Sequence, residues 1–234
     1  MKQTGRFLII FVSLMVLWNT FLVKPIKLFT VFLHELGHAF MALVTGSGIT
    51  ELKIYFNESG HVMSLPNNWW SAFLIANGGY LGSVLFAILI LVLKNTGFRK
   101  YIIGTIAIIF LAVTFRYSGI FSFTMLYSVI FAAFALILYM IQNDKLNGWV
   151  IEIIGIGSVT YAIYDTLVDT VLMQLNYRFD LFRTGSMPTT DAVTLSRLTH
   201  IPAMVWGLIW LGLAGFTVYA VFLKSRGRGS GRKY

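Results

Sequence analysis

Long runs of apolar residues recur along the whole chain and alternate with short polar connections. They cover about residues 7–23, 28–45, 71–93, 101–115, 118–141, 148–174 and 201–223. A helix needs about 20 apolar residues to cross a bilayer, and most of these runs approach or exceed that length. The run at 101–115 is either one half of a tightly turned pair of helices or part of an interrupted segment. The pattern predicts an all-α polytopic membrane protein with about six to seven transmembrane helices, in a single domain over residues 1–223.

One connection departs from this helical pattern. Within residues 46–70, apolar side chains alternate with polar or amphipathic ones between Leu52 and Phe56, and the sequence Asn57–Gly60 follows. Alternation with a period of two is typical of a half-buried strand, and a short polar segment that contains glycine is typical of a turn. We therefore expect a small β-hairpin directly after the second apolar helix.

The composition agrees with a membrane protein. Hydrophobic residues make up 57% of the chain and charged residues only 12%, whereas about a quarter of the residues in a soluble domain are charged. The chain contains no cysteine, which excludes disulfides and thiolate metal ligands. Any metal ion must therefore be held by histidine and carboxylate side chains.

The net charge of +9 arises mostly from basic residues at the ends of the apolar runs, and five of the eighteen lie in residues 224–234. Basic residues next to membrane helices favour the cytoplasmic side and contact anionic lipids of the bilayer. We therefore interpret 224–234 as a basic flexible tail on the cytoplasmic side. We expect no nucleic-acid partner, and the sequence does not indicate the oligomeric state.

The strongest chemical motif lies in the second apolar run, where residues 34 to 38 read His34-Glu35-Leu36-Gly37-His38. Residues four apart lie on one face of a helix, so both imidazoles can bind the same metal ion. A carboxylate beside the first histidine can act as general base towards the attacking water. The motif predicts a site with one zinc ion per chain, in which His34 and His38 are ligands and Glu35 is the catalytic base.

A catalytic zinc ion usually takes three protein ligands, so a third should come from another segment. Asp165 and Asp169 stand one helical turn apart deep in the run 148–174. A carboxylate at the centre of a bilayer costs roughly 2.5–3.5 kcal/mol, and metal binding would remove that cost. Asp165 lies nearer the middle of its run and is the expected ligand, while Asp169 is the alternate ligand or a hydrogen-bonding neighbour. Without a metal, the pair would instead face a water-filled cavity or pair with Arg116.

Asn77 is a further candidate, because it is a polar residue in a glycine-rich and otherwise apolar run. It can hydrogen-bond the backbone or the oxyanion of a substrate. Alternatively, its amide stabilises a helix kink.

Several stretches together resemble the site-2-protease family of intramembrane zinc metallopeptidases. They are His34–Ala39, the glycine-rich Asn77–Ser83, Tyr164–Asp169, Asp191-Ala192 and Ile201–Trp210, which together extend over most of residues 30–212. The resemblance is to a small, little-studied branch of the family. It implies zinc bound by His34, His38 and an intramembrane aspartate, with Glu35 as general base. It also implies hydrolysis of membrane-embedded or juxtamembrane protein substrates.

Two other functions are compatible with the same residues. The better-known members of that family carry the third ligand in the sequence Leu-Asp-Gly, which this chain lacks. That difference favours a non-catalytic, metal-binding membrane scaffold. The buried acidic residues could also serve an ion or proton transporter, although the chain shows no inverted repeat. Glu35 favours the protease, since a scaffold needs the histidines but not the base.

Overall fold

The computed structural model of the chain describes residues 3–172, 175 and 190–227. In this part of the chain the α-helices are α1 Gln3–Leu17, α2 Lys24–Val44, α3 Trp69–Leu93, α4 Ile102–Tyr117, α5 Phe123–Ile141, α6 Asp144–Asp165, α7 Asp191–Thr199 and α8 Ala203–Gly227. The strands are β1 Gly48–Ile54 and β2 Gly60–Leu65, and short 3-10 helices cover Phe21–Val23 and Gly97–Tyr101. Helix α6 continues as a π-helix over Thr166–Leu172.

Six helices in the described residues are long and apolar enough to cross a membrane, as the sequence predicted. They are Phe21–Val44, Trp69–Leu93, Gly97–Tyr117, Phe123–Ile141, Asp144–Leu172 and Ala203–Ala220. Helix α1 has 15 residues, a length of about 22 Å, which is less than the roughly 30 Å of bilayer hydrocarbon. The short run at 101–115 belongs to a separate helix, because Gly119 adopts a positive φ of 77° in the tight turn between α4 and α5.

The predicted β-hairpin follows α2 directly. Strands β1 and β2 pair antiparallel, with Leu52 opposite Val62 and Ile54 opposite Gly60. Leu52 and Ile54 are buried, which explains the alternation in the sequence. The outer side of β1 is hydrogen-bonded by α5, since Ile54 N donates to Thr124 Oγ1 at 3.0 Å. In the described residues, β2 makes backbone hydrogen bonds only to β1, so β2 is the open edge of the hairpin.

Helices α2 and α3 pack in direct backbone contact next to the histidine motif. A Cβ built on Gly78 would lie 2.7 Å from the carbonyl oxygen of Gly37, and one built on Gly82 would lie 2.7 Å from the Gly37 Cα. Small residues permit such an approach, as is common between membrane helices. The contact fixes the histidine motif of α2 against the glycine-rich turn of α3.

Helix α7 is held against α3 and α8, and this brings its first residue to the histidine motif. Trp69 at the start of α3 donates from Nε1 to the carbonyl oxygen of Leu198 at 3.0 Å. Ala192 and Leu195 are buried in one apolar cluster with Tyr80 and Trp210. Asp191 therefore reaches into the membrane-spanning part of the fold from a short helix that is not itself a span.

Helix α8 extends through Gly227. The predicted tail 224–234 thus begins inside this helix, and residues 228–234 lie outside the described part of the chain.

Candidate metal centre

The two histidines of α2 converge as the sequence predicted. His34 and His38 are both buried, and their rings meet edge to face with centroids 4.9 Å apart. Their Nε2 atoms lie 3.2 Å from each other. Glu35 is buried next to them on the same helix.

The carboxylate that completes this group is Asp191, the first residue of α7. Its Oδ2 lies 3.1 Å from His34 Nε2 and 3.2 Å from His38 Nε2. The three atoms form a nearly equilateral triangle. Tetrahedral ligands placed 2.0–2.1 Å from a zinc ion lie about 3.3 Å from one another, so these three atoms fit three corners of such a site. His34, His38 and Asp191 form the one group of this kind within the described residues.

The two imidazoles of the histidine motif favour the ionised form of Asp191. Its partial burial by itself raises the pKa, but the charge of His38 and the hydrogen bonds with both imidazoles outweigh this effect. The pKa of Asp191 is therefore held well below its usual range, and the carboxylate is ionised at neutral pH. Thr190 fixes the start of α7 by accepting a hydrogen bond from Val193 N at 3.4 Å, which orients Asp191 in the first turn.

The orientation of the imidazoles comes from the surrounding helices. His38 Nδ1 lies 2.7 Å from the carbonyl oxygen of Ile75 in α3, and a proton on Nδ1 leaves the lone pair of Nε2 free for a metal. His34 Nδ1 has no hydrogen-bond partner among the described residues. The ring of His34 is held by packing instead, edge to face against Tyr80 at 4.7 Å and Tyr161 at 5.5 Å between centroids.

Two glycines leave room for the polar groups of the site. A Cβ built on Gly79 would overlap the Nε2 atoms of both His34 and His38. A Cβ built on Gly60, the first residue of β2, would lie 2.7 Å from Glu35 Oε1. The backbone of α3 therefore lies directly against the Nε2 atoms of the two histidines, and the start of β2 lies directly against the carboxylate of Glu35.

We expect Gly79→Ala to lower zinc affinity by at least about tenfold, the lower range for changes that displace a ligand. The added methyl group can be accommodated only if the imidazoles move, whereas the helix itself tolerates alanine well. Zinc affinity is measured by competition with a chelator. Gly212→Ala in α8 is the matched control, because a Cβ there would meet no atom within 4 Å. Equal zinc affinity of the two variants would contradict the packing of Gly79 against the ligands.

Asp165, the ligand expected from the sequence, is not a member of the group formed by His34, His38 and Asp191 in the described residues. Tyr80 donates its hydroxyl hydrogen to Asp165 Oδ2 at 3.1 Å, and the ring of Tyr80 packs against the imidazole of His34. The structure thus brings together His34, His38 and Asp191 instead of His34, His38 and Asp165. The side chain of Asp169 lies outside the described part of the chain.

Both polar atoms of the Asn77 side-chain amide are hydrogen-bonded within the protein. Its Oδ1 accepts a hydrogen bond from Trp210 Nε1 at 3.2 Å, and its Nδ2 donates to the carbonyl oxygen of Phe73 at 3.0 Å. These bonds favour the structural alternative for Asn77, and substrate binding by its second amide hydrogen stays a prediction.

The sequence contained a signal for Asp191, although its position could not be inferred. Thr190 followed by Asp191 is a typical start of a helix, with a hydroxyl cap and an acidic residue in the first turn. A carboxylate within an apolar run needs a partner, so the sequence pattern favours such acidic residues as the third ligand. Asp191 stands in the polar stretch between two such runs, where a carboxylate needs no partner, so this pattern does not single it out.

Comparison with known protein families identifies a related family. The model of the family described as Peptidase M50B-like matches residues 7–221, which is most of the chain. Searches of curated proteins and of solved structures give no significant match.

Proposed function

The chain belongs to the peptidase M50B-like family, and from this membership we propose that it is an intramembrane zinc metallopeptidase. Its substrates are membrane-embedded or juxtamembrane proteins, whose peptide bonds it hydrolyses. The observation that carries the proposal is the triangle of His34, His38 and Asp191, with Glu35 beside it on α2. A metal scaffold would need the three ligands, but it would not need the glutamate.

In this proposal the zinc ion is held by His34, His38 and Asp191. When bound, zinc supplies Lewis acidity, which polarises a carbonyl group and lowers the pKa of a water molecule. Two nitrogen ligands and one oxygen ligand are a common set for catalytic zinc and leave the fourth position for substrate or water. The donor chemistry and the spacing of the three atoms both fit this role.

Glu35 is the general base. It takes a proton from the attacking water and passes it to the leaving amine, for which its carboxylate must be close to the scissile bond. Burial of Glu35 between α2 and the start of β2 excludes bulk water from the carboxylate. An extended substrate chain on the β2 side of Glu35 would present its peptide bonds to this group.

The open edge of β2 is suited to hold such a chain. A transmembrane substrate must unwind before hydrolysis, and a free strand edge can pair with the extended backbone. Strand β1 is already hydrogen-bonded to Ser118, which follows α4, and to Thr124 of α5, so the substrate would add to β2. Because Gly60 of β2 contacts Glu35, a paired substrate would run past the catalytic base.

We assign Asp165 a positioning role instead of a ligand role. Its carboxylate accepts the hydrogen bond from Tyr80, and Tyr80 packs both against His34 and against Trp210, where the ring centroids are 4.5 Å apart. The cost of placing the Asp165 carboxylate in a membrane helix is then offset by a hydrogen bond and not by a metal. In this arrangement Asp165 fixes Tyr80, and Tyr80 fixes the imidazole that binds zinc.

The chain is an integral membrane protein, and we propose that the end of the bundle where α6 begins is cytoplasmic. Lys94, Arg99 and Lys145 lie at this end, and positive charge in short loops favours the cytoplasmic side. Helix α8 runs antiparallel to α6, since Gly207 lies by Thr170 and Leu213 lies nearer Ala162. The basic C-terminal tail would therefore leave the membrane on the cytoplasmic side too.

The purified protein is expected to carry about one zinc ion per chain, because it holds a single three-ligand site. It should also cleave a transmembrane substrate in a reaction that a chelator stops and that added zinc restores. Zinc is measured by elemental analysis of the detergent-purified protein, and cleavage by gel electrophoresis.

A double variant, His34→Ala with His38→Ala, is the reference for the loss of the site. A double variant with as much zinc as the wild type would rule out this metal centre. His200→Ala is the control for removal of a histidine that does not belong to the group of three.

A further inference from the structure

A second site lies at the end of the bundle where α3 ends and α6 begins, far along both helices from the metal centre. It is a cavity of about 530 Å³. Four basic side chains line it, Arg6, Lys94, Arg99 and Lys145, together with Asn95, Asp144, Gly148 and Trp149. None of these residues takes part in the proposed hydrolysis.

The positive charge of this basic cavity is only partly balanced by the protein. Lys94 and Arg6 both donate to the same oxygen of Glu152, Arg6 at 2.5 Å. Asp144, whose side chain is largely exposed, pairs with Arg99 at 2.9 Å. Two carboxylates thus face four cations, and in the described residues Lys145 forms no ion pair at all. An anion in the cavity would remove this excess.

Because the basic cavity is partly buried, its excess of positive charge is screened less by water than the same charge would be on an open surface. The side chain of Lys94 is only 9% exposed, and burial lowers its pKa although Glu152 acts in the opposite direction. The Nε of Arg6 and the Oε2 of Glu152 are buried without a hydrogen-bond partner among the described residues. The Nε of Arg6 is therefore a buried donor whose hydrogen bond the described residues do not satisfy.

The basic cavity lies at the level of the membrane where lipid headgroups are found. The candidate spans of α3 and α6 end at Leu93 and begin at Asp144. The guanidinium of Arg6 lies 5.0 Å from the ring centre of Trp149, which is more than one-third exposed. Tryptophan and basic residues are typical of the boundary between hydrocarbon and headgroups.

An apolar cleft begins beside the basic cavity and runs down between α4 and α5. It has a volume of about 630 Å³ and shares Asp144 with the basic cavity. Ile103, Ile108, Leu111, Ala135, Leu136 and Leu138 line its length, and Lys100, Asn143 and Asn147 lie at its rim. In a bilayer, an apolar cleft of this kind is filled by hydrocarbon, and its polar rim opens towards the basic cavity.

We propose that the basic cavity binds the phosphate group of an anionic phospholipid, with one acyl chain of the lipid in the α4–α5 cleft. The phosphate accepts hydrogen bonds from Arg6, Arg99 and Lys145, and Lys94 lies behind it. The adjoining cleft favours a lipid over free phosphate, because only a lipid occupies both cavities. This site is independent of the proposed hydrolysis.

The test is native mass spectrometry of the purified full chain with phosphatidylglycerol or phosphatidylcholine of identical acyl chains. The wild type is expected to retain phosphatidylglycerol in preference. The double variant Arg99→Gln, Lys145→Gln should lose about 25-fold in phosphatidylglycerol affinity, since each basic residue near an anionic lipid contributes roughly fivefold. The side chain of Arg99 is 35% exposed and Lys145 is an exposed residue, so the fold should not depend on either of them.

The matched control is Arg116→Gln with Lys53→Gln, which removes two cations outside the basic cavity and should leave phosphatidylglycerol retention unchanged. Equal retention of the two lipids by the wild type would overturn the proposal. So would an equal loss in the two double variants. A large excess of inorganic phosphate should compete only weakly. If it displaces phosphatidylglycerol completely, the cavity is a free-phosphate site and the lipid assignment is wrong.

Discussion

Replacement of Glu35 by glutamine is expected to abolish the hydrolysis of a transmembrane substrate while zinc stays bound. The amide is nearly isosteric with the carboxylate, and the proposed ligands His34, His38 and Asp191 are unchanged. Glutamine cannot accept the proton of the attacking water, and general-base catalysis typically contributes 10²- to 10⁴-fold to a rate. The cleavage rate should therefore fall by about that factor. Cleavage of a co-expressed substrate and the zinc content of the purified variant are measured together.

Glu58→Gln is the matched control for this change of carboxylate to amide. Glu58 lies in the turn of the hairpin and pairs with Lys27 at 2.6 Å, and a partly exposed pair of this kind contributes roughly 0–1 kcal/mol to stability. Cleavage by the Glu58 variant should stay close to the wild-type rate. If instead Glu35→Gln cleaves as fast as the wild type, or complements a deletion strain equally well, hydrolysis is not what this chain contributes. The metal-binding scaffold would then be the better description.

The helices could be predicted from the sequence because the bilayer constrains them so strongly. Every backbone polar group in hydrocarbon must be satisfied within the segment, so a long apolar run has to be a helix. The first run is the instructive exception. Residues 7–23 read as one span, but α1 ends at Leu17, where the Thr20 hydroxyl donates to the Leu17 carbonyl oxygen at 2.7 Å. Pro25 then starts a new helix, as proline favours the first turn.

The histidine pair was also predictable, because its geometry is local. Residues 34 and 38 meet through the pitch of a single helix, which the sequence specifies without knowledge of the rest of the fold. The third member depends on long-range packing. Asp191 reaches the imidazoles only because Trp69 and the apolar face of α7 fix this helix against α3, and no periodicity in the sequence encodes that contact.

Asp165 needs a partner for its carboxylate, as its depth in the apolar run predicts, but the structure provides a hydrogen bond instead of a metal ligand position. A carboxylate in a membrane helix needs a partner, and the hydroxyl group of Tyr80 is such a partner in the structure. A hydrogen bond from a neutral tyrosine and coordination to zinc both stabilise an aspartate within a membrane helix. The sequence of α6 does not distinguish between them, because the difference lies in which side chain of α3 faces residue 165.

The two assignments of the third ligand predict opposite results for zinc binding. If Asp191 is the ligand, Asp191→Ala should lower zinc affinity by more than about 100-fold. Asp165→Ala should then lose only about 10- to 100-fold, which is typical when a residue that positions a ligand is removed. Affinities are measured by chelator competition on the purified variants, with Asp169→Ala as a third member of the series. A site emptied by Asp165→Ala but not by Asp191→Ala would restore the assignment made from the sequence.

A double-variant comparison distinguishes a positioning role of Asp165 from direct coordination of zinc by Asp165. It does not depend on the size of the zinc-affinity loss in any single variant. If Asp165 acts through Tyr80, then Tyr80→Phe and Asp165→Ala break the same hydrogen bond, and the double variant should lose little more zinc affinity than either single variant. Residues that act through one shared contact are non-additive in this sense. If Asp165 binds zinc directly, Asp165→Ala should far exceed Tyr80→Phe. The phenylalanine ring of Tyr80→Phe lacks the hydroxyl group but can still pack against His34. This variant therefore removes the hydrogen bond to Asp165 without removing the ring contact.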